Sequence, residues 1–350
     1  MMDAISLIPY AEAVPVPPLI LIFLEQLFFL IHIILVNSIL GVGLILLYKW
    51  KRTVDFFDIN RPLARRIPIF FALAINMAIP ALLFLQVVFG HLFYSSSVLM
   101  GTFWILIIPI LIIAYYSSYF HYKKFGVSQY AKYSLILMIS LVLYVAFILV
   151  NNLSMMEMPE KWSLYFSERG GTILLWSVSS IYPRFLHFIV ASLAVGGIVY
   201  AFYFSKKSNS EKNAMDGIRI FAYATMVQMA VGVWFLVSLP ESIMLKFMGR
   251  DSVATLVLVA GIGTAVLSVI LAFKNNLKGT LIFLLITLIA MVINRYNLRI
   301  FSLEDKFSPT SLEISPQWDV FVLFVVILLI GVGVLFYMVK ISFKGKEEAK

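Results

Sequence analysis

The chain contains no cysteine. Disulfides, thiolate-ligated iron–sulfur clusters and covalent c-type haem attachment are therefore excluded within it. Charge is scarce as well. Asp, Glu, Lys and Arg make up only 13% of 350 residues, against 62% hydrophobic, with a mean hydropathy of +0.97. No soluble globular domain has that balance, because apolar runs of about 20 residues, repeated along a chain, read as membrane-spanning helices. Histidine is rarer still, at four positions, and the third apolar run, LMGTFWILIIPILIIAYYSSYF, has no acid in it. Metalloprotease, nucleotide-loop and nucleophile-elbow patterns are missing. The first residues, MMDAISLIPYAEAVPVPP, lack the basic stretch of a signal peptide.

What is present is an all-α, polytopic membrane protein. Nine candidate spans fall at roughly 19–48, 67–93, 98–121, 131–151, 183–205, 217–239, 253–273, 278–295 and 317–340. The net charge of +9 raises the question of nucleic acid, but its placement answers to topology instead. Lys49, Lys51, Arg52, Arg61, Arg65, Arg66, Lys123, Lys124, Lys132, Lys206, Lys207, Lys212, Arg219, Lys274, Lys278, Lys340, Lys344, Lys346 and Lys350 all fall on one side if the N-terminus is outside. The positive-inside rule then puts the C-terminus in the cytoplasm. The expected location is a bacterial inner membrane, in contact with lipid and not with nucleic acid. Residues 1–350 read as one membrane domain. Residues 152–182, rich in Trp and Tyr, read as an outer interfacial segment or lid. Residues 296–316, with Arg299, Glu304, Asp305, Lys306 and two prolines, read as an exposed outer loop. No strong internal repeat is evident, and no pair of broken helices favours a transporter.

The four histidines, His32, His91, His121 and His187, all lie in or at the end of apolar runs. An ionisable ring in hydrocarbon is costly and generally has a partner or a task. His121 stands beside Tyr122, Lys123 and Lys124, where snorkelling to the interface explains it. For His32 and His187 the better expectation is ligation of a haem iron, with an interhelical hydrogen bond as the alternative. His91 shares the outer half of the membrane with His187, so a bis-histidine haem between spans two and five is an open possibility. Ala191, Ser192, Ala194, Gly196 and Gly197 follow His187 and would let a flat macrocycle or another helix come close. Glu25 lies two turns before His32 on the same face. It is read as orienting a ligand, meeting a quinone or, with more weight, sitting at the headgroup level. Gln228 lacks an obvious partner, and Met226 and Met229 read as core filler before iron ligands.

Several blocks together resemble the large, quinol-oxidising subunit of cytochrome bd oxidases. They are LIHIILVNSILGVGL around His32, LQVVFGHLFYSSS at the end of span two, VNNLSMMEMP leaving span four, RFLHFIVASLAVGG around His187, and VSLPES leaving span six. The resemblance covers spans one to six, and the last three weakly. It implies that His187 is an axial ligand of a low-spin haem b, that His32 ligates a second haem, and that quinol is oxidised at the outer face, with Glu25 and Glu241 as candidate quinol or proton groups. Span three lacks the family's carboxylates. Val259 stands where the family has a methionine ligand, and Asn294 and Arg295 stand where it has a glutamate. Oxygen reduction at a buried site needs titratable groups to deliver protons. The expectation is therefore a haem b subunit that passes electrons from quinol to a partner, such as a multihaem c-type cytochrome, without reducing oxygen. The competing expectations are a bd-type quinol:oxygen oxidoreductase and a haem-free membrane scaffold.

Overall fold

The structure is a computed structural model describing residues 4–50 and 54–344. Lys51, Arg52, Lys346 and Lys350 of the basic set lie outside the described residues. Among the described residues, nine helices are long and apolar enough to cross a membrane. In chain order the helices are α1 (Pro18–Tyr48), α2 (Val54–Leu99), α3 (Gly101–Lys124), α4 (Tyr130–Glu157), α5 (Ile181–Phe204), α6 (Glu211–Val237), the short α7 (Glu241–Leu245), α8 (Ser252–Phe273), α9 (Leu277–Leu303) and α10 (Trp318–Lys344). All but α7 are spans. Helix is the expected solution, because a backbone without water must satisfy its own N–H and C=O groups.

The helices form two four-helix units in the same order. α1 packs on α2 and α3 on α4; α5 packs on α6 and α8 on α9. The last helix of each unit also touches the first helix of the other, α4 against α5 and α9 against α1. The units join along α1 and α5, which run parallel. Ser192 Oγ donates to Asn37 Oδ1 at 3.0 Å across a sequence offset of 155. The same offset relates Gly196 to Gly41 and His187 to His32. At the glycines the backbones touch: a Cβ on Gly41 would lie 1.8 Å from the Ser192 carbonyl oxygen. α5 meets α6 in the same way, with Gly197 and Gly217 against backbone of the facing helix. The small residues after His187 thus accommodate two helices, which settles the choice between helix and macrocycle at that depth.

One end of the bundle is basic. There Lys49 pairs with Asp216, Arg61 donates to the Phe125 carbonyl, and Arg66 and Lys207 both lie over the Tyr203 ring. The opposite end is closed by the connections between spans. Trp162 donates to the Met155 carbonyl, the Leu175 N–H donates to Asn151 Oδ1, and Lys306 pairs with Glu160 at 2.6 Å. Gly171, at φ 64°, turns its chain so that its carbonyl accepts from the Thr102 N–H. The 152–182 stretch is therefore not simply laid on a membrane surface: Pro159, Trp162, Ile173 and Leu175 are buried against the bundle. Residues 296–316 also differ from the expected loop. α9 continues to Leu303, and only 304–317 connects it to α10. The reason is that Leu298 and Leu303 keep an apolar face on the bundle past Arg295 and Arg299, whose charge finds partners inside. The connection then clasps the N-terminal segment, Val14 pairing in parallel with Ile314. α10 stands at the periphery and leans on α2 through an edge-on contact of Phe324 with Phe84.

Candidate cofactor site

Phe29, His32 and Glu25 share one stripe of α1, spaced by three, four and seven residues. His32 Nδ1 lies 2.8 Å from the Ala74 carbonyl oxygen of α2. A ring nitrogen facing a carbonyl carries the proton, so the other nitrogen, Nε2, keeps its lone pair. This is the arrangement that prepares an imidazole to bind a metal. His187 occupies the corresponding level of α5, with its ring carbon Cε1 3.5 Å from where a Cβ on Gly232 of α6 would stand. Its Nδ1 is buried without a hydrogen-bond partner. Gln228, one turn before Gly232 on α6, also has an unpartnered Oε1.

α9 supplies what faces the α1 stripe. Arg295 and Arg299, one turn apart, converge on Glu25. Arg299 Nη1 donates to Glu25 at 3.1 and 3.3 Å, and Arg295 Nη1 stands 3.8 Å from the same carboxylate. Glu25 is 3% exposed and Arg299 fully buried. Glu25 is thus enclosed by protein: the two guanidiniums draw it inward, where an unpaired carboxylate would be untenable. Gln26 Nε2 also donates to it at 2.6 Å. The Arg295 guanidinium lies 3.8 Å over the Phe29 ring and Arg299 5.0 Å from Phe89. These π faces offset part of the cationic charge. They leave Arg299 Nε and Nη2, Arg295 Nη1 and both polar atoms of Asn294 buried without hydrogen-bond partners. One carboxylate against two guanidiniums leaves a surplus positive charge beside His32, together with several unused donors.

Phe89 interrupts α2 with φ −119° and ψ 23°, and the kink brings His91 onto the edge of Phe307, ring centroids 4.5 Å apart. His91 therefore faces the α9–α10 connection, and no hydrogen bond or ring contact joins it to His187. His121 does not snorkel. It is fully buried at the basic end, its Nδ1 2.7 Å from the Ala131 carbonyl oxygen and its ring against Phe125 and Trp50. Burial wins there because the aromatic cluster of Trp50, Phe56, Phe57 and Phe125 closes over it. Glu241 opens α7 and is exposed, with no ion-pair partner among the described residues. α7 packs through Ile243 near Leu298 and Phe301 of α9, on the same side of the bundle as Arg299. Val259 is 60% exposed on α8, so that position does not face the interior whatever residue it holds.

A second charged pair lies between α4 and α5. Arg184 makes a two-point contact with Glu157, at 2.8 and 3.2 Å, and also donates to Ser154. Sequence reasoning missed this pair and the buried role of Arg295 and Arg299. The available signal was the four-residue spacing of two arginines inside an apolar pattern that continues beyond them. Among the described residues no three His, Asp or Glu side chains gather to hold a bare metal ion. Comparison with protein-family models, curated proteins and solved structures returns no match.

Proposed function

We propose that this chain is a haem b-containing membrane subunit, akin to the cytochrome bd large subunit, that takes electrons from quinol and passes them to a partner redox subunit without reducing oxygen. The observation that carries the reading is the stripe on α1: an imidazole held in the metal-binding tautomer by the Ala74 carbonyl, beside two buried guanidiniums with donors to spare. The donor set suits a haem. His32 Nε2 would ligate the iron, and Arg295, Arg299 and Asn294 would take the propionate carboxylates, whose negative charge matches the surplus on α9. His187, at the same depth on α5, would hold a second haem in the other four-helix unit. Haem b, when bound, supplies one-electron transfer.

The chain's own groups then set polarity and proton traffic. Glu25, held by two cations, is a counter-ion. Glu241 is exposed, with no ion-pair partner among the described residues, and would be placed to meet a proton released by quinol at that end. The basic end would face the cytoplasm of a bacterial cell and the Glu25 end the outside, where a multihaem c-type cytochrome or similar partner would accept electrons. Span three offers no carboxylate to carry protons to an oxygen-reducing centre, which favours transfer over reduction.

The test is the pyridine hemochrome and redox-difference spectrum of the purified protein. Haem b is expected, with His187→Ala abolishing a low-spin signal, His32→Ala removing a separate component, and His121→Ala leaving the spectrum intact. Absence of haem would replace this reading with a membrane scaffold. A haem d band with oxygen uptake would replace it with an oxidase.

A further inference from the structure

His32 and His187 occupy corresponding levels of α1 and α5, but their rings are held differently. The His32 ring is fixed by a backbone group of the next helix, the Ala74 carbonyl of α2, 2.8 Å from Nδ1. The His187 ring also faces the next helix. It lies against α6 at Gly232, where a Cβ would stand 3.5 Å from Cε1 and 3.8 Å from Nδ1. A glycine at that position lets the ring come up to the helix. No carbonyl of α6 takes up the ring nitrogen, however: His187 Nδ1 is buried without a hydrogen-bond partner.

The same stripe of α6 carries a buried acceptor. Gln228 stands one turn before Gly232, and side chains four residues apart on a helix are neighbours. Its Oε1 is buried without a hydrogen-bond partner as well. Each such atom is costly to leave unpaired, and the two are complementary in only one way. An amide oxygen accepts and does not donate. It therefore suits His187 when the proton is on Nδ1, whereas a bare Nδ1 would set lone pair against lone pair. The chain spacing agrees, with 42 residues from His32 to Ala74 and 41 from His187 to Gln228. We infer that Gln228 is the positioning residue for His187. Its flexible side chain turns so that Oε1 accepts a hydrogen bond from Nδ1–H, which fixes the ring against α6 and keeps the Nε2 lone pair for a ligand. The second unit thus does with a side chain what the first does with backbone. The tautomer follows from these residues alone; its use, ligation of iron through Nε2, rests on the haem reading above.

Only four histidines are present, so nitrogen-15 NMR of the full-length, histidine-labelled protein in lipid bilayers can read each ring. The His187 signals are assigned by their loss in His187→Gln or, should that variant not fold, by elimination through His32→Gln, His91→Gln and His121→Gln. His187 is expected to carry its proton on Nδ1. Gln228→Leu, or Gln228→Met if the first does not fold, should shift the balance toward the Nε2–H form by roughly tenfold. Gln228→Glu, which keeps an acceptor, should leave Nδ1 protonated, and Met229→Leu, beside it on α6, should match wild type. In haem-loaded protein Gln228→Leu should also raise the midpoint potential of the low-spin component and leave the other component unchanged, because a donor N–H without its acceptor makes a less basic ligand. An Nε2–H ring in wild type, an unmoved balance in Gln228→Leu, or an equal shift in Met229→Leu would each overturn the inference. Protein that shows the Nδ1–H ring and its loss in Gln228→Leu but binds no haem would leave the inference standing and overturn the haem reading instead.

Discussion

Two buried carboxylate–guanidinium contacts hold the same end of this bundle, and they differ in balance. Glu157 and Arg184 are one against one, joined at two points and supplemented by Ser154. Glu25 faces two arginines, and several of their N–H groups point at nothing. The first is a closed clamp between α4 and α5. The second has capacity left over, and a surplus buried cation in a membrane protein marks a place for an anion. The near-repeat of the two four-helix units sharpens the contrast, since each contact links the last helix of one unit to the first helix of the other.

The strongest way to break the comparison is to separate the units. Gly196→Leu or Gly41→Leu would force side chain into backbone, because even a Cβ at Gly41 overlaps Ser192. No monodisperse protein is expected by size-exclusion chromatography, and a well-folded variant would refute the close α1–α5 register. Next comes Glu25→Ala, which strands two buried cations. A loss of about 3–5 kcal/mol is expected in thermal or chemical unfolding in detergent. Arg184→Ala strands only Glu157, and a loss of about 3 kcal/mol is expected. Arg295→Met separates the two contacts most cleanly. It removes the surplus charge and fills the space, so stability of the ligand-free protein should stay within about 1 kcal/mol of wild type, and the proposed haem, where bound, should be retained less. A cost as large as that of Arg184→Ala would mean that Arg295 is fully compensated and the surplus an illusion. The smallest effect is expected at Gly232, where an added methyl meets His187 at an ordinary contact distance. Gly232→Ala should change stability by less than about 1 kcal/mol, helix propensity gaining what packing loses. A collapse there would place α6 closer to His187 than the structure does.

How much of this was legible beforehand depends on the kind of residue. The spans were, because hydrophobic length is a local property: α1, α5 and α8 begin and end within two residues of expectation. α9 ran eight residues beyond its expected end, since two charged residues read locally as an exit from the membrane. Only a carboxylate on α1, 274 residues away in sequence, makes Arg299 an interior residue. His121 was misplaced for the same reason. Its neighbouring lysines are visible in sequence, whereas the Trp50 ring that packs on it alongside the nearby Phe125 comes from beyond the end of α1.

The correspondence of His32, Asn37 and Gly41 with His187, Ser192 and Gly196 is too sparse to stand out as a repeat. It becomes visible once Asn37 and Ser192 touch. By itself, then, the sequence determined that this chain is a helical, multi-spanning membrane protein with a few imidazoles at defined depths, because partition into lipid is set by each segment alone. Which faces those imidazoles present, which carboxylate answers which arginine, and where positive charge is left in excess were decided by tertiary structure, because charge compensation in a low-dielectric interior is a property of pairs that only folding brings together.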